Sequence, residues 1–156
     1  MSYNLFLDDD ASRKPNSLPW IDLPLVEWVR VWSYDEFVKH IEKHGIPQRV
    51  SFDHDLHDSH YKEGHKHNFE YFDYKAVAVK TGYDCARWLA KHCAEKKADL
   101  PEFFVHTLNA RGRDNIVKYL FNHRRVVLGR MTEEQLDEAV REFDRPPGYE
   151  TPAQAA

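Results

Sequence analysis

The chain has 156 residues and 42% hydrophobic content, enough for one domain with a substantial core and too much for global disorder. Lys plus Arg number 22 against 26 Asp plus Glu, a net charge of −4 that excludes a wholesale basic coat for nucleic acid. No apolar run approaches the roughly 20 residues that span a bilayer, and no basic-then-apolar leader opens the chain, so neither a membrane span nor a signal peptide is expected.

Leu5-Phe6-Leu7 reads as a buried strand that ends in Asp8-Asp9-Asp10. Pro15, Pro19 and Pro24 then disfavour a helix, and Val26 to Trp32 reads as a second strand. Ser33 with Glu36 three residues on forms a capping box for a helix through Phe37, Val38 and Ile41, stopped by Gly45 and Pro47. A third strand from Arg49 to Phe52 ends in Asp53-His54-Asp55. Residues 57–73 read as a polar, His-rich loop, with a hairpin through Phe69 to Val79.

Thr81 and Asp84 open the next helix, whose inner face carries Cys85, Trp88, Leu89 and His92. Cys85 and Cys93 lie on this helix, about 12 Å apart at 1.5 Å per residue, so they cannot bond to each other there. Two packing cysteines suggest a reduced, cytoplasmic protein. Phe103-Phe104-Val105 reads as a fourth strand ending in His106-Thr107. A turn from Asn109 to Gly112 leads into a helix with Ile116, Val117, Leu120 and Phe121. Val126-Val127-Leu128 reads as a fifth strand, Thr132 caps a last helix to about Phe143, and a frayed tail follows. The domain is placed at residues 1–144 and the flexible tail at 145–156.

Alternating strands and helices give an α/β fold with a mainly parallel sheet. In such sheets ligands bind at the carboxyl ends of the strands. Three strand ends carry chemistry: Asp8-Asp9, Asp53-His54-Asp55 and His106-Thr107. Adjacent carboxylates after a buried strand resist burial unless a cation neutralises them. A hard divalent ion, Mg²⁺ or Mn²⁺, does that at Asp8, Asp9 and Asp53; a solvated acidic turn is the bland alternative. Asp53 is a ligand or a nucleophile, and Asp55 a ligand or the orienter of a histidine. His106 and His54 are candidate proton carriers near neutral pH.

Thr107, Asn109, Arg111, Gly112, Arg113 and Asn115 are the candidate phosphate and substrate residues, near a helix N-terminus that attracts anions. Six Lys or Arg lie between Arg111 and Arg130 against one acid, Asp114, and Arg124, Arg125 and Arg130 read as a solvated face. His57, His60, His65 and His67 read as a solvated loop rather than a metal site. Trp20, Trp28, Trp32 and Trp88 read as core or platform residues rather than a base-stacking surface. Neither a Walker-type phosphate loop nor a Gly-x-Ser-x-Gly elbow is present. His106-Thr107 occurs once, which argues against an enzyme built on two such motifs.

Four segments together resemble the cyclic-phosphate processing receiver-like family: Leu5-Phe6-Leu7-Asp8-Asp9, Ser51-Phe52-Asp53-His54-Asp55-Leu56, Thr81-Gly82-Tyr83-Asp84, and Val105-His106-Thr107-x-Asn109-x-x-Gly112-x-x-Asn115-Ile116. The resemblance covers about residues 3–122. It implies a flavodoxin-like or receiver-like domain with five strands in the order 2-1-3-4-5, flanked by helices. It also implies a Mg²⁺ pocket at Asp8, Asp9 and Asp53, with Asp53 at the receiver phospho-acceptor position and Thr107 at the receiver hydroxyl position. His54, Asp55, His106 and Asn109 match additions special to the family.

Two departures stand out. Gly129-Arg130 follows the expected fifth strand where a receiver has Lys, and the first helix is replaced by the proline-rich stretch, where no role is assigned to Arg13. The expected activity is a metal-dependent phosphoesterase acting on a cyclic phosphate, either an RNA end or a cyclic nucleotide. The expected partner is a nucleotide or RNA-end substrate, with no membrane and no large basic nucleic-acid surface. The alternatives are a nucleotide-binding module without turnover and a divergent receiver phosphorylated on Asp53.

Overall fold

The computed structural model describes residues 2–126 together with Thr132, Glu134, Gln135, Asp137, Glu138 and Arg141. Its strands are β1 (Asn4–Leu7), β2 (Val29–Val31), β3 (Arg49–Phe52) and β4 (Glu102–Val105). Its helices are α1 (Tyr34–His44), α2 (Asp58–Lys66), α3 (Gly82–Glu95) and α4 (Ala110–Val126). All three strand pairings are parallel, in the order β2-β1-β3-β4.

Strand parity divides the core in two. Leu5, Leu7, Val50, Phe52, Phe103 and Val105 face one way and pack with Phe37 and Ile41 of α1, Cys85 and Leu89 of α3, and Ile116 and Leu120 of α4. Phe6 faces the other way and packs with Leu18, Leu23, Trp20, Trp28 and Phe104. The proline-rich stretch, with a short 3-10 turn at Pro15–Ser17, therefore covers the second face in place of an α-helix. Each large apolar side chain buried this way contributes roughly 1.5–3 kcal/mol.

Local signals hold at the helix starts. The Ser33 hydroxyl accepts from Glu36 N at 3.2 Å, while the Glu36 carboxylate accepts from Trp32 N at 2.9 Å, one residue earlier than a standard box. At Thr81 and Asp84 both halves of the capping box form. Cys85 and Cys93 are free and buried. Thr132 and Gln135 exchange reciprocal capping bonds of 3.0 and 3.2 Å.

Three expectations change. Val126 closes α4 instead of opening a fifth strand, and 127–128 lie outside the described residues, as does the 145–156 tail. Nothing in Asn122-His123-Arg124-Arg125 breaks a helix, and the basic last turn complements the helix dipole. The His-rich stretch forms α2 rather than a loop. Its inner face is His60, Glu63 and Gly64, so hydrophobic periodicity could not reveal it. Residues 69–79 form an irregular segment with a 3-10 turn at Tyr74–Ala76, not a hairpin. Among the described residues, no helix is long and apolar enough to cross a membrane.

Candidate functional site

The parallel ladder runs one residue beyond each strand. Asp8 N donates to Val31 O at 3.1 Å, Asp53 N to Leu7 O at 2.9 Å, and His106 N to Phe52 O at 2.9 Å. Those bonds lay Asp8, Asp53 and His106 side by side at the carboxyl edge of β1, β3 and β4. Gly82, the first residue of α3, sits so close that a Cβ there would lie 1.7 Å from the Asp53 carbonyl oxygen.

Asp8 is fully buried, and its two oxygens have different partners. One accepts from Asp10 N at 2.8 Å; the other is 2.9 Å from His106 Nε2. The other nitrogen of His106 is 2.7 Å from the Ser51 hydroxyl, and its ring stacks on Phe6 with centroids 4.4 Å apart. Burial lowers the His106 pKa, and the bond to Asp8 works against that. His106 thus orients Asp8 with both ring nitrogens engaged.

Asp53 accepts from His54 N through one oxygen at 2.8 Å. Its other oxygen is buried without a hydrogen-bond partner, as is Oδ1 of Asp9. One ligand atom from each of Asp8, Asp9 and Asp53 lies within 4.8 Å of the others. Among the described residues, no other group of three or more Asp, Glu, His or Cys side chains comes close enough to hold an ion. Burial, then the Asp8 charge, pushes the Asp53 carboxyl well above the usual range, while Arg13 and the Thr107 hydroxyl pull it down. Burial and Asp8 also raise Asp9. Three carboxylates, two of them with an orphaned oxygen, fit a hard divalent cation such as Mg²⁺ or Mn²⁺.

A second group stands beside this one. His54 Nδ1 lies 2.7 Å from Asp55, and its Nε2 lies 2.9 Å from the Tyr74 hydroxyl. Asn109 donates its amide to both Asp55 oxygens at 3.2 and 3.3 Å and accepts from Gly112 N at 2.9 Å. Asn115 donates to the Tyr74 hydroxyl at 2.8 Å. A Cβ on Gly112 would come within 2.3 Å of the His54 ring. Gly112 therefore makes room for a histidine, and its N–H is spent on Asn109 rather than facing an anion.

The structure thus brings Asp8, Asp9, Asp53, His106 and Thr107 together. It places His54, Asp55, Asn109, Gly112 and Asn115 in an internal brace. Arg111 and Arg113 lie farther out, along a cleft of about 590 Å³ that also borders Thr107. Arg111 donates through Nε to Glu70 O at 2.8 Å.

The His57–His67 group does not converge. His57 caps α2, His60 bonds to Leu56 N and Val79 O, and His67 lies 2.6 Å from Glu63.

Three residues escaped the sequence reading. Arg13 brings one guanidinium nitrogen to 3.8 Å from Asp8 and 3.6 Å from Asp53, ion-pair range but too long for hydrogen bonds. Arg30 binds the carbonyls of Asp8, Asp10 and Arg13, clamping the loop that carries them. Tyr61 of α2 has a pKa raised by burial and then by the Asp53 charge. For Arg13 the signal was available, since the paired acids called for a nearby cation. Nothing local marked Tyr61, because α2 itself was hidden.

A parallel sheet in the order β2-β1-β3-β4, with acids after β1 and β3 and a hydroxyl residue after β4, defines a receiver-type domain. The chain belongs to the cyclic-phosphate processing receiver domain family, whose description matches residues 3–122. Comparison with curated proteins and with solved structures found no match.

Proposed function

We propose that this chain is a metal-dependent phosphoesterase that opens a cyclic phosphate, either a cyclic nucleotide or an RNA end. One observation carries the reading: a cluster of three carboxylates, Asp8 and Asp53 buried and Asp9 half-buried, in which Asp9 and Asp53 each hold a buried oxygen without a hydrogen-bond partner. Buried carboxylates without partners are costly, and such sites persist where a ligand completes them. When bound at Asp8, Asp9 and Asp53, Mg²⁺ or Mn²⁺ supplies Lewis-acid polarisation of the phosphoryl oxygen and lowers the pKa of a water. Water adds to phosphorus, one ester P–O bond opens, and the departing oxygen takes a proton, which leaves a phosphate monoester.

The chain's own residues prepare that step. His106 fixes the Asp8 carboxylate, and Ser51 fixes His106. Thr107 lines the cleft and acts on the Asp53 carboxyl, and in this reading its hydroxyl is the group that would hold a phosphoryl oxygen. The brace of His54, Asp55 and Asn109 holds the Asp53 loop against α4. His54 and His106 act as positioning residues, because each uses both ring nitrogens internally.

That last observation favours a second reading, a module that binds the nucleotide without turning it over. The test is hydrolysis of 2′,3′-cyclic and 3′,5′-cyclic nucleotides and of RNA ending in a 2′,3′-cyclic phosphate. Mg²⁺, Mn²⁺ and EDTA would be compared, with Asp53→Asn alongside. Metal-dependent turnover lost in the variant is the expected result. Intact nucleotide recovered after tight binding would establish the binding module instead.

A further inference from the structure

Beside Thr107 lies the cleft of about 590 Å³, within the range of small-molecule sites. Its walls include Trp20, Phe69 and Leu108, with Arg111 and Arg113 along it. We propose that this cleft is the base-binding half of the site, and that it takes the aromatic heterocycle of a nucleoside whose cyclic phosphate lies at Asp53 and Thr107. This rests on the phosphoesterase or nucleotide-binding reading of the acidic cluster, and it reassigns Trp20 from packing to recognition.

Three features set the aromatic and apolar walls. The Trp20 indole donates to His106 O at 2.7 Å, and the Arg13 guanidinium lies 5.7 Å from its ring. Trp20 is therefore pinned to the same strand end that carries Asp8's partner, and it lines the cleft.

Phe69 has a φ of +59° and follows Asn68 at +53°, two successive left-handed residues. A bulky side chain rarely adopts that conformation, and such strain concentrates at ligand sites. Phe69 N bonds to Gly64 O at 2.8 Å. A Cβ at Gly64 would meet the Phe69 ring at 2.6 Å. The sequence thus gives up helix propensity in the last turn of α2, and the ring takes the space.

Leu108, directly after Thr107, is 62% exposed, an apolar surface at the mouth with nothing over it. Glu70 and Asp114 also line the cleft, with Asp114 paired to Arg111 at 3.4 Å, so the apolar and aromatic walls, which suit a flat heterocycle, carry the argument. A sugar phosphate without a base would leave them bare.

The experiment compares 2′,3′-cyclic AMP with a base-less probe, methyl ribofuranoside 2,3-cyclic phosphate. The full chain is assayed as wild type, Phe69→Ala and Phe69→Tyr. The expected result is a wild-type KM at least about 10-fold lower for the nucleoside. Phe69→Ala should erase that advantage by raising only the nucleoside KM, roughly 10- to 100-fold, while kcat holds and Phe69→Tyr restores it. Equal KM values for the two probes in wild type, or an equal rise for both in Phe69→Ala, would overturn the cleft assignment and leave the phosphoesterase standing.

Absence of turnover on both probes would end the phosphoesterase reading. Calorimetric Kd values for the same probes then decide the cleft. Base-dependent binding lost in Phe69→Ala sustains it, and binding indifferent to the base, or none, refutes it.

Discussion

Two polar groups lie side by side at the carboxyl edge of the sheet, and they are built on opposite principles. In the brace, His54, Asp55, Asn109, Tyr74 and Asn115 satisfy one another. In the acidic cluster, Asp9 and Asp53 are left with buried, unpartnered oxygens, and the nearest cation, Arg13, stays 3.6 Å from Asp53. A closed network stabilises the fold; an open one stores a demand that a ligand meets. Both contain acids next to histidines, so residue type alone does not separate them.

The sharpest way to break this contrast is Asp53→Asn. Turnover should fall by about 1,000-fold or more, the loss expected when several kcal/mol of charge stabilisation disappear. The same variant in EDTA at neutral pH should be more stable than wild type by about 1–2 kcal/mol, because burial and the Asp8 charge penalise the Asp53 carboxylate more than Arg13, 3.6 Å away, relieves it. Urea titration checks the second part, and a destabilised variant with normal turnover would refute the contrast.

Asp55→Ala probes the closed side. It strands the His54 ring nitrogen and the Asn109 amide, so stability should fall by about 3 kcal/mol. Metal binding in the surviving folded protein should change less than in Asp53→Asn, as calorimetry would show.

Gly112→Ala forces a methyl into the His54 ring, and overpacking of this kind typically costs about 1–3 kcal/mol. A fully stable Gly112→Ala protein would mean that His54 does not sit against α4.

The smallest effect concerns pH. His60 accepts from Leu56 N through Nδ1 at 2.8 Å and donates through Nε2 to Val79 O at 2.7 Å, so its neutral form is the one that fits. Burial lowers its pKa from 6.5. A lowered histidine pKa means that the unfolded chain binds the proton more readily. The stability it contributes is therefore complete above about pH 6.5 and is lost as pH falls from there through the folded pKa. Urea midpoints of wild type and His60→Asn between pH 7.5 and 5 should converge toward the acid end. Parallel curves would show that His60 titrates normally.

The sequence by itself determined the strand ends. Short apolar runs of Leu, Phe and Val stop abruptly at acids or His-Thr, and a parallel sheet aligns such ends because crossovers return each strand in the same direction. It also determined the starts of α1 and α3, since the Ser33–Glu36 cap and the Thr81–Asp84 box are contacts between residues three apart.

Tertiary structure alone decided what each polar residue does. The pairing of His106 with Asp8 spans 98 positions, and that of Asn109 with Asp55 spans 54. No local pattern records such distances. The same holds for α2, whose buried face is polar and so carries no apolar period, and for Gly112, whose missing side chain matters only because His54 fills the space. Hydrophobic order is written along the chain; hydrogen-bond partnership is settled only when distant strand ends meet in a medium that leaves no water to satisfy them.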